Sequence, residues 1–205
     1  MGKYVCITGV KFSGKDSFAY YFEKEGYVKV NFADNLKEMC AYAFSISLDI
    51  MHDPKSKEIE LTSPAEVTAV TLSKLNEWIS RSHSFTLSEK FIGNSFKSIR
   101  KMLQFVGTDM IRATYENYHV EVALKNMEQH NRVVCADCRF MNELEGMRDL
   151  STKLGHKFAS IYMFRPGYEG DSHISENSIK EEDCNTKVYN DTTVENLSNI
   201  ANLIL

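Results

Sequence analysis

Residues 7–19, ITGVKFSGKDSFA, include the residue types that bind the phosphate groups of a nucleotide. Gly9, Gly14 and Lys15 match the phosphate-binding loop pattern G-x-x-x-x-G-K-[ST], but Asp16 takes the hydroxyl position and Ser17 follows it. In such a loop, backbone N–H groups bind anionic oxygens and the lysine adds a positive charge. The segment therefore predicts an ATP-binding loop, with contacts from Gly9, Lys11, Ser13, Gly14, Lys15, Asp16 and Ser17.

The segments on either side of this loop fit that interpretation. KYVCITG (3–9) is a short apolar run that predicts a β-strand, and Phe18 and Phe22 fall at helical spacing directly after the loop. Gly26 marks the end of that helix. A surface turn is the alternative, but the order strand, loop, helix is the context that the phosphate-binding pattern requires.

Three charged residues follow the ends of later predicted strands. Asp137 ends the apolar run RVVCAD, Arg139 lies two residues further on, and Arg165 follows the run KFASIYMF. An acid in that place supports Mg²⁺ in phosphoryl-transferring proteins, and Asp16 would add a second hard oxygen ligand. Arginine can stabilise a transferring phosphoryl group. The alternatives are a helix N-cap for Asp137 and surface ion pairs for the two arginines.

The alternation of strand and helix patterns predicts an α/β fold. We expect a doubly wound parallel sheet of about five strands, with the ligand at the carboxyl ends of the strands. Residues 34–130 interrupt the alternation and predict a mostly helical insert within a single domain of residues 1–205. In this insert SPAE (63–66) predicts the start of a helix, and Gly107 predicts the end of another. Lys37 could meet a second phosphate group, or lie on a solvated helix face.

The composition argues against several classes of protein. The chain has 205 residues, of which 43% are hydrophobic, and a net charge of −4. It has no basic stripe, so we expect neither nucleic acid nor a membrane surface as a partner. No apolar run approaches the ~18–20 residues that span a bilayer. Five cysteines, an odd number, predict reduced thiols and a cytoplasmic location.

Cys135 and Cys138 form a C-x-x-C pair, which raises the alternative of zinc binding or redox chemistry. A structural zinc site would need a second close pair, and the other three cysteines stand apart in the sequence. We therefore interpret Cys135 as a small apolar residue in a buried strand.

The whole chain resembles the bacteriophage deoxynucleoside monophosphate kinases, within the wider group of nucleoside monophosphate kinases. SGKDS resembles that family's own form of the phosphate loop, in which aspartate follows the lysine. The other segments that resemble the family are FADNLKE (32–38), RKMLQFVGTD (100–109), DCRFMNELE (137–145), RPGYEGDSHISE (165–176) and VYNDTTVENL (188–197). The chain departs from the family at His119, where the family has tryptophan, and at Glu121, where it has lysine. Residues 50–95 match poorly.

The resemblance implies phosphoryl transfer from ATP to a deoxynucleoside 5′-monophosphate, with Mg²⁺ as the cofactor. It implies catalytic roles for Lys15, Arg139 and Arg165, and metal contacts from Asp16 and Asp137. The implied acceptor site consists of Lys37, Arg100, Gln104, Gly107, Thr108, His119, Asp137 and Arg139.

Other interpretations stay open at this stage. One is a kinase of another phosphorylated small molecule, such as dephospho-coenzyme A. Another is an ATP-binding or ATP-hydrolysing switch protein that has no acceptor site. The accepted bases, the preference between ribose and deoxyribose, and a homodimer are also open, and a viral chain would work in the host cytoplasm.

Overall fold

The structure is a computed structural model that describes residues 2–53, 56, 59–168, 178–191 and 194–204. The chain divides into two compact units. Unit 1 comprises Met1–Phe32 and Ala123–Leu205, and unit 2 comprises Ala33–Val122.

Strands and helices alternate along most of the chain. The strands are β1 (Lys3–Gly9), β2 (Val28–Lys29), β3 (Glu60–Glu66), β4 (Ser95–Ser98), β5 (Arg132–Cys135), β6 (Lys157–Phe164) and β7 (Thr186–Tyr189). The α-helices are α1 (Lys15–Lys24), α2 (Asp34–Phe44), α3 (Leu48–His52), α4 (Ala69–Ser80), α5 (Ile99–Gln104), α6 (Tyr118–Met127), α7 (Met141–Lys153) and α8 (Val194–Ile204). No helix among the described residues is long and apolar enough to cross a membrane.

Unit 1 is built on a five-stranded parallel sheet with the order β2-β5-β1-β6-β7 among the described residues. In the central strand, Val5 pairs with Val134 on one side and with Ala159 on the other. Val5 and Ile7 pack with residues of α1 and α8, and α7 packs against β1 and β6. The predicted doubly wound parallel sheet is therefore confirmed. Because all strands run in one direction, their carboxyl ends share one edge, where ligands bind in such folds.

Unit 2 is mostly helical and has a hydrophobic core of its own, which includes Met39, Leu75, Ile99 and Met102. Its other element is an antiparallel pair formed by β3 and β4. Residues 60–66 are a strand, so the helix start predicted at 63–66 is wrong. The helix α4 begins later, because the Thr68 side chain accepts a hydrogen bond from the Thr71 backbone N–H and caps it.

Gly107 does not end a helix, which corrects a second prediction. After Gln104 the chain continues as a π-helix, Phe105–Arg112, that includes Gly107. A Cβ at Gly107 would lie 2.7 Å from Cδ2 of Leu36 in α2. The glycine is therefore a position of close packing between two helices, and not a stop signal. π-Helical turns are rare and occur frequently at functional sites.

Candidate active site

The segment between β1 and α1 forms a loop at the carboxyl edge of the sheet. Gly14 immediately precedes α1 and has a φ of 96°, in the left-handed region that favours glycine. No side chain of the described part of the chain caps this helix terminus. The first N–H groups of a helix lack partners within the helix, so an uncapped terminus suits an anion. The predicted strand, loop and helix are confirmed here.

Lys15 lies at the first position of α1, and its side chain folds back over the loop. The ammonium donates hydrogen bonds to the carbonyl oxygens of Gly9 at 2.7 Å and Val10 at 2.6 Å. It also lies 3.4 Å from Oγ of Ser13, whose side chain is buried. The positive charge is therefore held at the loop, where a phosphate group would need it.

Asn190 anchors this loop, although no role was predicted for it from the sequence. Its side-chain Nδ2 donates a hydrogen bond of 2.8 Å to the carbonyl oxygen of Ser13. Asn190 was part of the segment VYNDTTVENL that resembles the family, and it directly follows β7. Its position directly after a predicted strand could have indicated a role at the loop, because residues that follow parallel strands lie at the carboxyl edge of the sheet, where the loop also lies.

Asp16 forms an ion pair with Lys29, with 2.7 Å between Oδ1 and Nζ. The Asp16 side chain is 77% exposed and the Lys29 side chain only 25%. Burial is the largest influence and lowers the pKa of Lys29, but the hydrogen bond and charge of Asp16 together with the charges of Glu23 and Asp137 outweigh it, and the pKa is raised overall. Asp16 and Asp137, the two acids that were predicted to contact the metal, therefore both raise the pKa of Lys29.

Asp137 lies two residues beyond β5, which is shorter than the predicted strand 132–137. Its Oδ1 accepts hydrogen bonds from the Phe32 backbone N–H at 2.8 Å and from the Cys135 thiol at 3.4 Å. The carboxylate thus connects the segments that follow β2 and β5. A role for Asp137 in metal or acceptor binding stays a prediction.

The turn that carries Arg139 is organised by Glu143, a residue of the segment 137–145 for which no role of its own was predicted. The buried Glu143 carboxylate accepts hydrogen bonds at Oε2 from the backbone N–H groups of Arg139 at 2.7 Å and Phe140 at 3.1 Å. These contacts fix the backbone of the turn at the start of α7.

Arg165 follows β6, and its guanidinium reaches the loop. Nη1 lies 3.5 Å from the carbonyl oxygen of Phe12, and the guanidinium carbon lies 4.6 Å from the centre of the Tyr168 ring. Lys11 lies near the same loop tip, with Nζ 4.8 Å from the Phe12 ring centre. These contacts bring two cations to the predicted phosphate site. Residues 169–176 of the predicted segment 165–176 lie outside the described residues.

The predicted site residues divide between the two units. Unit 1 contains Gly9, Lys11, Ser13, Gly14, Lys15, Asp16, Ser17, Asp137, Arg139 and Arg165. Unit 2 contains Lys37, Arg100, Gln104, Gly107, Thr108 and His119.

Within unit 2, the predicted acceptor residues lie mainly on one continuous helical stretch. Arg100 and Gln104 are four residues apart in α5, and Thr108 follows four residues later in the π-helix; all three are partly exposed. Residues four apart on an α-helix share a face. Lys37 lies in the first turn of α2, with Nζ 3.1 Å from Oδ1 of Asp34.

His119 is buried, with 4% of its surface exposed. Neither ring nitrogen has a hydrogen-bond partner among the described residues. Burial and the nearby Arg112 lower its pKa to about 3, and the Gly107 backbone opposes this shift without completing a hydrogen bond. The imidazole is therefore neutral, and each unpaired nitrogen carries a desolvation cost. An orphaned polar group of this kind is rare in a folded protein.

Unit 2 also has a cavity of about 540 Å³, and no site role was predicted for the residues that line it. Phe85 and Tyr115 form one wall, with ring centres 5.3 Å apart and planes within 10°. His83 contacts Glu121 at 3.0 Å beside that wall. The lining residues are Ser80, Arg81, Ser82, His83, Ser84, Phe85 and Tyr115.

All five cysteines are unpaired, and Cys135 is buried in β5 as predicted. Burial raises the pKa of the Cys135 and Cys138 thiols, and neighbouring acidic groups raise it further. Both groups are therefore protonated thiols, a form that binds metal poorly. Within the described parts of the chain, no group of three or more His, Cys, Asp or Glu residues is arranged to hold a metal ion.

Comparisons with known proteins show which family this chain is similar to. The model of a family described as deoxynucleotide monophosphate kinase matches residues 57–200, more than half of the chain. A protein of Acanthamoeba polyphaga mimivirus named "Putative deoxynucleotide monophosphate kinase" is 28% identical over 210 residues, with 92% of this chain and 89% of the relative covered.

Two solved structures are similar at a lower level. The Mycobacterium tuberculosis APS kinase in complex with AMPPNP and APS has 12% identity and a TM-score of 0.43, with 99% of this chain and 97% of that chain covered. A sugar kinase from Janibacter sp. HTCC2649 has 12% identity and a TM-score of 0.41, with 98% and 92% covered. These similarities are too low to assign a ligand or a substrate to this chain.

Proposed function

This chain belongs to the deoxynucleotide monophosphate kinase family, and we propose that it transfers the γ-phosphoryl group of ATP to a deoxynucleoside 5′-monophosphate. The products are ADP and the deoxynucleoside diphosphate. Family membership makes the chain a nucleotide kinase, whereas the identity of the acceptor is our proposal. The observation that carries the proposed phosphoryl transfer from ATP is the phosphate loop of unit 1, where two carbonyl oxygens hold the Lys15 ammonium over the loop.

Unit 1 is the part that binds ATP in this proposal. Backbone N–H groups at the start of α1 bind the phosphate oxygens, and Lys15 and Arg165 stabilise the charge of the transferring group. The reaction needs no covalent intermediate, because positioning and charge stabilisation supply most of the catalysis in phosphoryl transfer.

The acceptor monophosphate binds to the cationic and amide side chains that the family resemblance singles out. Lys37 and Arg100 of unit 2 bind its phosphate, and Gln104 and Thr108 of the same unit add hydrogen bonds. A guanidinium can form two parallel hydrogen bonds to a phosphate, which favours arginine for this role. His119 offers one donor and one acceptor as a neutral imidazole, which suits a contact with the base.

Asp16 fits a magnesium site better than Asp137 does. The Asp16 carboxylate is 77% exposed even with its Oδ1 paired to Lys29, and it directly follows Lys15 in the chain, so a hydrated ion can reach it directly or through water. Oδ1 of Asp137 already accepts two hydrogen bonds within the protein. When bound, Mg²⁺ would neutralise charge on the β- and γ-phosphate oxygens.

We also propose a cytoplasmic location, which would be the host cytoplasm if a bacteriophage encodes the chain. Five unpaired cysteines support a reducing compartment.

A coupled assay of ADP release tests the proposed acceptor. The purified protein is given ATP and Mg²⁺ with each of a panel of deoxynucleoside and ribonucleoside monophosphates, with dephospho-coenzyme A, and with no acceptor. We expect ADP release that depends on at least one deoxynucleoside monophosphate. Equal ADP release without any acceptor would indicate a hydrolysing switch, and activity with dephospho-coenzyme A alone would assign a different acceptor.

A further inference from the structure

We infer that Asn190 is a positioning residue that holds the phosphate loop in its ATP-binding conformation by a hydrogen bond to the Ser13 carbonyl group. This inference rests on the proposed ATP-binding role of that loop. Asn190 directly follows β7, and 177 positions of sequence separate it from Ser13. Its backbone N–H donates a hydrogen bond of 2.7 Å to the Phe164 carbonyl oxygen at the end of β6. The residue is therefore fixed to the sheet before its side chain reaches the loop.

The side-chain amide is closely fitted to the loop. Nδ2 lies 2.8 Å from the Ser13 carbonyl oxygen, and a Cβ added to Gly14 would lie only 2.4 Å from the same nitrogen. Any residue with a side chain at position 14 would therefore displace the Asn190 amide. Gly14 is required here for this approach as well as for its positive φ.

Holding the Ser13 carbonyl also fixes the N–H group of Gly14. The two groups belong to one peptide unit, and no peptide bond among the described residues is cis. In a planar trans peptide the C=O and N–H bonds point in opposite directions. With the carbonyl directed at Asn190, the Gly14 N–H is turned away from β7, immediately before the uncapped start of α1. That orientation prepares the N–H to donate to a phosphate oxygen.

The chemistry of the anchor suits a site for an anion. The asparagine amide donates a hydrogen bond without adding charge near the phosphates. Aspartate has nearly the same shape, but as a carboxylate it offers only acceptors to the Ser13 carbonyl oxygen. It would also place a negative charge next to bound ATP.

Direct measurement of ATP binding tests this role in two variants, Asn190→Ala and Asn190→Asp. The Kd for the ATP analogue AMPPNP is measured by calorimetry, and the KM values for ATP and for the monophosphate by the coupled assay. Losing one neutral hydrogen bond should raise the Kd about tenfold in Asn190→Ala, and more in Asn190→Asp. The KM for the monophosphate should change little. A variant that had only lost folded protein would instead show a lower kcat, with the KM values for both substrates unchanged.

Asn185 provides a matched control at the other end of β7. Its Oδ1 accepts hydrogen bonds from the Ser160 hydroxyl at 2.7 Å and from the Ser160 backbone N–H at 3.3 Å, so Asn185→Ala removes internal side-chain bonds away from the loop. We expect this variant to bind AMPPNP like the unchanged protein. An unchanged Kd in Asn190→Ala, or an equal rise in Asn185→Ala, would overturn the positioning role.

Amide hydrogen exchange at Gly14 in the unchanged protein gives a test that does not depend on the folding of any variant. Exchange of the Gly14 N–H should slow when AMPPNP is added, and exchange that stays the same would overturn the inference. If the unchanged protein fails to bind AMPPNP at all, the proposed function fails and this inference with it.

Discussion

Lys15 donates a hydrogen bond of 2.6 Å to the carbonyl oxygen of Val10, five residues earlier in the same loop. A second bond, of 2.7 Å, joins the same ammonium to the Gly9 carbonyl oxygen. The cation is thus placed by the loop itself, so its position is set before a nucleotide binds. Preorganised charge of this kind lowers a reaction barrier because little reorganisation is needed during the reaction.

Replacing Lys15 with alanine should lower kcat by two to three orders of magnitude and leave the fold intact. Removing a preorganised group at a developing charge costs roughly 3–4 kcal/mol of transition-state stabilisation. The coupled assay measures kcat, and circular dichroism checks the fold. Lys24→Ala is the matched control, since Lys24 lies exposed in the last turn of the same helix. Turnover near that of the control would contradict the assignment of the phosphate loop.

Arg100→Ala should raise the KM for the monophosphate roughly 10- to 100-fold and leave the KM for ATP nearly unchanged. A charge-assisted arginine–phosphate contact contributes roughly 1.5–3 kcal/mol, and the variant removes it. Steady-state kinetics with each substrate varied in turn measure both constants. Lys101→Ala, at the exposed neighbouring position, is the control. If Arg100→Ala changes neither constant, Arg100 has no part in acceptor binding.

Gly107→Ala should lower the free energy of unfolding by about 1 kcal/mol, because the new methyl group meets the Leu36 side chain. Urea denaturation measures this change. In a Leu36→Ala background the obstruction is removed, and the same substitution should become neutral or stabilising, since alanine favours a helix over glycine. An equal loss in both backgrounds would show that Leu36 does not explain the glycine.

The buried His119 should make stability depend on pH. Its pKa is about 3 in the folded protein and about 6.5 when unfolded, so below pH 6.5 the unfolded chain takes up a proton that the folded one does not. Stability therefore falls as the pH falls from about 6.5 towards 3, by up to about 1.4 kcal/mol per pH unit. His119→Leu should remove this contribution.

Urea denaturation of the two proteins at a series of pH values isolates the effect of His119. His52→Gln, at an exposed position in α3, should keep the full pH dependence. A parallel dependence in His119→Leu and in the unchanged protein would mean that His119 titrates normally. The proposed contact with the base predicts, separately, that His119→Leu alters the relative KM values of different monophosphates.

The phosphate loop and its flanking elements could be predicted because their signals are local. The apolar run of β1, Gly14 and the spacing of Phe18 and Phe22 all lie within residues 3–22, and each has a strong structural preference. The contact between Asn190 and Ser13 could not be predicted in this way, because nearly the whole chain separates the two residues.

Unit 2 was harder to predict because tertiary packing overrides local signals there. SPAE suggested a helix start, yet residues 60–66 pair with β4, and Thr68 caps the helix that follows. Gly107 looked like a stop signal, but it packs against Leu36 inside a π-helix. A glycine that makes room for another helix has the same sequence appearance as one that ends a helix.

Direct detection of the transferred phosphoryl group tests the central proposal. ATP labelled at the γ-phosphate is incubated with Mg²⁺, the protein and a deoxynucleoside monophosphate, and the products are separated by chromatography. We expect the label in a deoxynucleoside diphosphate for at least one base, and its loss in Lys15→Ala. Label found only in inorganic phosphate, with every monophosphate of the panel unchanged, would contradict the account.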